Sequence, residues 1–116
     1  MSRRVEKPWG YEDIWAETPL YLGKILVIRA GHRLSLQLHR QKDEAIYVVR
    51  GTLRLTLESD AGELEVRDLG PGDSAHIAPG RRHRFEAVSE CELCEVSSPE
   101  IDDVVRLQDD YGRTPR

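Results

Sequence analysis

No stretch of this chain stays apolar for the roughly 20 residues needed to cross a bilayer. Nor does an apolar segment follow the basic opening Met1-Ser2-Arg3-Arg4-Val5-Glu6, so the N-terminus does not read as a secretory signal. A cytoplasmic location is the default expectation. Charge of one sign is lacking too. The 17 Lys and Arg residues face 21 Asp and Glu, leaving a net charge of −4 without a block of like charge. That argues against a nucleic-acid groove and against an acidic solvating tail. Scattered arginines suit a solvated surface or a small bound anion. There is no internal repeat, low-complexity tract or linker. A length of 116 residues is enough for one domain with its own core and no disulfides.

Cysteine is scarce. Cys91 and Cys94 form a C-x-x-C, but no second ligand pair follows at zinc-site spacing. They sit in the strand-like run Cys91–Val96, where residues three apart face opposite ways. Both read as packing cysteines. No segment sustains an apolar period of 3.6 residues. No Gly-rich phosphate loop is present either, which excludes a nucleotide site of that type.

What the sequence does have is a succession of short β segments between Gly, Pro and Asp breaks. Strands are predicted at 11–15, 21–29, 33–39, 44–50, 52–58, 63–69, 74–77, 84–88, 91–97 and 104–107. Spacing near ten residues favours an all-β sandwich or barrel. Residues from Thr114 on read as a frayed end. In 33–39, Leu34, Leu36 and Leu38 share one face, and Arg33, Ser35, Gln37 and His39 share the other. This strand turns either its polar face to water or Gln37 and His39 into a polar interior, with the leucines against a second layer or a partner subunit. The next strand tips the choice. Glu44, Ile46 and Val48 alternate with Ala45, Tyr47 and Val49, so both faces are mainly apolar and both are expected to be covered. A Glu opening such a strand marks the polar side of the hairpin as a site.

Gln37 and His39, two apart, point to one place. The turn Arg40–Asp43 returns Glu44 beside them, and His83 follows the later turn Pro79-Gly80-Arg81-Arg82. Two imidazoles, a carboxylate and an amide oxygen suit one divalent ion, Zn foremost, with Mn, Co, Ni or Fe as alternatives.

The run Gly31-x5-Gln37-x-His39-x4-Glu44-x6-Gly51 resembles the first cupin motif, with Gln in place of the first His. The run Gly72-Asp73-Ser74-Ala75-His76-Ile77-Ala78-Pro79-Gly80-x2-His83 resembles the second. The Gln-x-His variant is similar to the type II mannose-6-phosphate isomerases, often the C-terminal domain of bifunctional isomerase/GDP-mannose pyrophosphorylases. The opening Lys7-Pro8-Trp9-Gly10-Tyr11-Glu12, the run Leu34–His39 and the tail Asp102–Arg113 resemble that family in order. Where it carries His then Trp after the metal-binding Glu, this chain has Ala45 and Ile46; Lys42 replaces an Arg.

The resemblance implies an all-β cupin, a double-stranded β-helix barrel, as a single domain over 1–116. Residues 1–20 would be an N-terminal arm, 21–97 the barrel and 98–116 a C-terminal extension. It implies a metal on Gln37, His39, Glu44 and His83, and aldose–ketose isomerisation of a small sugar phosphate through an enediol, with no nucleic-acid or membrane partner. Candidate proton carriers, by type, are Glu12, Lys42, His76 and Glu86. Candidate phosphate ligands are Arg106 and Arg113 from the tail, and Arg81, Arg82 and Arg84 beside His83, at least two of these last three reading as surface charge. Trp9 and Tyr11 are candidates for an aromatic wall against a sugar ring, Trp9 equally for an anchor of the N-terminal strand. A non-catalytic sugar-binding cupin is the alternative. A metal-dependent oxygenase is a third, disfavoured because Gln37 stands where a stronger nitrogen donor is usual. The apolar faces Leu34/Leu36/Leu38 and Tyr47/Val49 lead to the expectation of a homodimer.

Overall fold

A computed structural model describes residues 2–114. Pro115 and Arg116, part of the expected frayed end, lie outside the described residues. Among those described there is no helix. The strands are β1 (Arg3–Lys7), β2 (Gly10–Glu17), β3 (Leu22–Ile28), β4 (Leu36–Leu38), β5 (Glu44–Arg50), β6 (Leu53–Glu58), β7 (Leu64–Leu69), β8 (Ser74–Ile77), β9 (His83–Ala87), β10 (Cys91–Ser97) and β11 (Val105–Gln108). They form two antiparallel sheets, β1-β2-β3-β10-β5-β8 and β11-β4-β9-β6-β7. This is the all-β double-sheet architecture that the alternating pattern predicts. Strand β1 is an addition: its charged sequence carries no apolar alternation, and only its pairing with β2 makes it a strand.

The core lies between the sheets. Ile28, Val48, Leu53, Leu55, Ile77 and Leu93 are fully buried there. Each such side chain contributes about 1.5–3 kcal/mol by leaving water. On β10, Cys91, Leu93, Glu95 and Ser97 point inward, and Glu92, Cys94 and Val96 point out. On β5, Glu44, Ile46 and Val48 point inward. Its other face is not covered within the chain: Tyr47 is 50% and Val49 42% exposed.

The strand expected at 33–39 is mostly irregular. Only Leu36–Leu38 is regular, and Arg33 makes an isolated bridge to Glu86. The Leu34 amide donates to the Phe85 carbonyl, and the chain leaves strand geometry at Leu34 and Ser35. Leu34 therefore reaches the same interior as Gln37 and His39 rather than the opposite face. Leu34 and Leu36 are buried, so they offer no apolar surface to a partner.

Gly51 sits at φ +86° in the turn between β5 and β6, and a Cβ there would lie 2.1 Å from the Glu90 carbonyl oxygen. The two cysteines face opposite ways as expected and form no disulfide. Burial raises the Cys91 thiol to about 11, and its Sγ–H donates to the Thr52 carbonyl at 3.0 Å.

Gly51→Ala is expected to destabilise the fold by at least about 2 kcal/mol, since it adds both left-handed strain and a backbone clash. Urea melts of the two proteins measure this; coincident curves would contradict it. Native protein at pH 8 is expected to leave Cys91 unlabelled by a thiol-reactive dye, with full labelling only in denaturant. Mass mapping of the labelled cysteine decides the point.

Candidate metal centre and its cavity

The two sheets diverge at one end around a cavity of about 310 Å³. Strand β1 supplies Arg3, Val5 and Lys7 to one wall, and the tail supplies Ile101, Asp102, Val104, Arg106 and Arg113 to another. Both ends of the chain thus enclose the interior of the barrel. Gln37, His39 and Glu44 line it, and His83 lies buried behind them.

Three of the four expected ligands converge. His39, Glu44 and His83 each bring one ligand atom to within 4.8 Å of the others. Glu44 Oε1 is 3.2 Å from His39 Nε2 and 3.3 Å from His83 Nε2. Gln37 lies opposite His83 in the β4–β9 register, so the two side chains share a face. The buried Ser35 hydroxyl donates to Gln37 Oε1 at 2.6 Å, which turns the amide oxygen in a fixed direction.

The far side of each imidazole sets its tautomer. His39 Nδ1 meets the Asp103 carbonyl, and His83 Nδ1 meets the Arg81 carbonyl at 3.0 Å. A carbonyl only accepts, so both Nδ1 atoms carry protons and both Nε2 lone pairs face Glu44. His83 Nε2 has no hydrogen-bond partner despite its burial. Three electron pairs without a proton between them repel one another, and a cation among them removes that repulsion. The donor set therefore fits a divalent ion, and backbone-anchored imidazoles are what such ions use.

Asp103 holds this arrangement from the tail. Its carboxylate accepts the backbone N–H groups of Arg40, Gln41 and Lys42 at 3.1, 2.7 and 2.9 Å. Those bonds from Gln41 and Lys42 keep its pKa below the ordinary value. Burial acts to raise the Glu44 pKa, and the Lys42 ammonium 3.6 Å from its Oε2 acts to lower it.

Of the other candidates, the structure brings five to the cavity. Lys42 is buried, with Nζ 3.0 Å from Glu95 Oε2 and 3.6 Å from Glu44 Oε2. Burial opposes its charge, yet Glu95 and Glu44 raise its pKa on balance. Glu12, Trp9, Arg106 and Arg113 also line the cavity. Arg106 stands opposite Gln37 across β11 and β4, so Arg106, Gln37 and His83 form one row. The Arg106 Nε is buried without a partner, whereas Arg113 is bound to Asp109. Trp9 is at the same time part of the core, so its two readings coincide.

The structure does not bring His76, Arg81 or Tyr11 to the cavity. His76 is exposed on β8 and pairs with Asp43 at 2.6 Å. Its parity sets it outward, because Ala75 and Ile77 face the core. Arg81 pairs with exposed Asp60, and Arg82 with Glu58 at 3.1 Å. Arg84 is spent on the Leu34 and Gln108 carbonyls, tying β9 to β4 and the tail. Glu86 alternates with inward Phe85 and Ala87 and faces away. Tyr11 lies under the Arg4 guanidinium, 3.8 Å from its ring centre. The departures at Ala45 and Ile46 do not touch the cavity wall either, because Ala45 faces out and Ile46 lies in the core.

Sequence reasoning missed Lys24 and Glu95. Both are buried, and both face the cavity. Strand parity was the available signal: Lys24 shares a face with Leu22, Leu26 and Ile28, and Glu95 with Cys91 and Leu93. Burial, together with repulsion from Glu44, raises Glu95 to about 7.

Comparison with known proteins agrees with this geometry. The cupin domain family matches residues 24–97. The chain is 37% identical over 118 aligned positions to mannose-1-phosphate guanylyltransferase ManC of Salmonella typhimurium, covering 97% of this chain and 24% of that protein. It is likewise 37% identical to the xanthan biosynthesis protein XanB of Xanthomonas campestris, with 97% and 24% covered. This chain therefore spans about a quarter of the length of these curated relatives. Among solved structures, KdgF from Halomonas sp. superposes with a TM-score of 0.73 at 26% identity, covering 89% of this chain and 91% of that one. With its motif residues set around one cavity between two antiparallel sheets, the chain belongs to the cupin family.

Proposed function

We propose that this chain is a metal-dependent sugar-phosphate isomerase of the mannose-6-phosphate isomerase kind, interconverting an aldose phosphate and its ketose. The observation that carries this reading is the row Arg106–Gln37–His83. It sets a half-buried guanidinium, its Nε buried without a partner, one strand from Gln37 and two strands from the His83 strand. Neighbouring strands lie about 4.8 Å apart, so the guanidinium strand and the His83 strand are roughly 10 Å apart. A small molecule with oxygens at one end and a phosphate at the other fits that division. The curated relatives are named for guanylyl transfer, but this chain carries no Gly-rich phosphate loop for that chemistry.

Gln37, His39, Glu44 and His83 would hold the ion. Once bound, a divalent ion supplies stabilisation of the negative charge that develops on the substrate oxygens, zinc being the first choice for this donor set. Arg106, with Arg113 beside it, would bind the phosphate and fix the sugar end to end. Isomerisation then moves one proton between C1 and C2 through the enediol. Glu12 and Lys42 line the cavity and are the groups in place to carry it. Trp9 closes one wall and keeps bulk water off the reacting carbons. In this reading residues 21–97 are the barrel, and the arm 1–20 and extension 98–116 complete the substrate pocket. A homodimer would cover the outward Tyr47, Val49 and Val96, which are exposed in the single chain.

Purified protein is expected to take up about one zinc or manganese per chain, and His39→Ala or His83→Ala to lower that affinity at least roughly 100-fold. Metal analysis after equilibrium dialysis tests it; variants that load like the unaltered protein would remove the metal assignment. Metal-loaded protein is expected to convert mannose 6-phosphate to fructose 6-phosphate. Arg106→Gln should raise KM by about 10–100-fold, equivalent to about 1.4–2.8 kcal/mol, with kcat nearly unchanged. Saturable binding without turnover would leave a sugar-binding cupin in place of an enzyme.

A further inference from the structure

On the inner face of the larger sheet, two successive inward rows differ in kind. On β3, β10 and β5 one row is Leu26, Leu93 and Val48, all aliphatic, with Glu12 of β2 opposite Leu26. The next is Ile14, Lys24, Glu95 and Ile46. Lys24 and Glu95 stand where the neighbouring row has Leu26 and Leu93, and both line the cavity. There the charged groups alternate: Lys7 Nζ is 3.9 Å from Glu12 Oε1, and Lys24 Nζ is 3.4 Å from Glu12 Oε2. Lys24 stands opposite Glu95, which Lys42 bonds at 3.0 Å.

Lys24 and Glu95 are only 5% and 3% exposed. Taking such charges out of water costs several kcal/mol each, and aliphatic side chains of similar volume would serve stability as well or better. The adjacent row shows that this sheet accommodates aliphatics. The charges are thus placed where a ligand would lie, not where the fold needs them. Lys24 bonds Glu12 and stands opposite Glu95 in the β3–β10 register, and both carboxylates line the cavity.

We propose that Lys24 is a positioning residue, whose ammonium holds the Glu12 carboxylate on the cavity wall beside Glu95 so that its oxygens accept hydrogen bonds from the hydroxyl groups of a polyhydroxylated ligand. This rests on the sugar-phosphate reading above and adds how the sugar portion is recognised. The phosphate is held by Arg106 on the other sheet, so the two parts of the ligand have separate anchors. Hydroxyl recognition by fixed carboxylates selects an extended polyol over a simple phosphate ester.

The test is calorimetric titration of metal-loaded full chain with mannose 6-phosphate and, separately, with inorganic phosphate. Lys24→Met is expected to weaken mannose 6-phosphate at least about ten-fold while inorganic phosphate affinity and metal content stay unchanged. Lys24→Arg, which keeps the charge, is expected to restore sugar-phosphate affinity to within about three-fold. Unaltered mannose 6-phosphate binding by folded Lys24→Met would overturn the proposal, as would an equal loss for both ligands. Should Lys24→Met fail to fold, Glu12→Gln replaces it: selective weakening of mannose 6-phosphate is expected, and unchanged affinity overturns the proposal. If the unaltered protein binds no mannose 6-phosphate at all, the sugar-phosphate reading itself falls, and that is visible before any variant is made.

Discussion

Two histidine nitrogens and a carboxylate oxygen meet among buried side chains at the cavity wall, and the rest of the site is arranged around that meeting. The Nδ1 protons of His39 and His83 are committed to backbone carbonyls, which leaves only acceptors facing inward. Such a cluster is unfavourable alone and favourable around a cation. The fold supports it with rigid elements. Glu44 opens a strand whose next inward residues, Ile46 and Val48, are locked in the core, and His83 opens a strand anchored likewise by Phe85 and Ala87. Positional precision at the ligands is thus inherited from close packing two residues away.

The tail is as much a part of the site as the motifs are. Asp103 gathers three amides of the loop that carries His39 into Lys42, and its own carbonyl takes the His39 Nδ1 proton. Arg84 fastens β9 to the carbonyls of Leu34 and Gln108, and Arg33 forks onto Asp110. These bonds tie the last strand to the hairpin of the candidate metal ligands. They also place Arg106 next to Gln37, so one interaction set fixes the loop, the hairpin and the β11 side together.

Electrostatically, the two walls of the cavity differ. Lys24, Lys42, Glu12 and Glu95 lie on the larger sheet and its loop, and the Arg106–Gln37–His83 row lies on the smaller one. The larger-sheet side thus presents mixed charge, and the smaller-sheet side a guanidinium. Arg106 is held below its ordinary pKa range by burial and by Arg113, a sign of positive charge gathered without full compensation.

The sequence by itself determined the strand count to within one, because short alternating runs between Gly and Pro breaks leave little freedom in β structure. It also pointed to the candidate ligands, since residues two apart on a strand and a short hairpin turn bring Gln37, His39 and Glu44 to one side of the barrel. The single parity error, Leu34, came from a break in strand geometry that only the Phe85 carbonyl enforces. Tertiary structure alone decided which like residues serve the cavity. His76 and Arg81 have the right chemistry, but one faces out because Ala75 and Ile77 must face in, and the other is taken by Asp60. Lys24 and Glu95 entered for the converse reason. A charged residue in an apolar strand is ambiguous until the partner strands show whether its inward face meets core or cavity, and that depends on contacts between segments far apart in the chain.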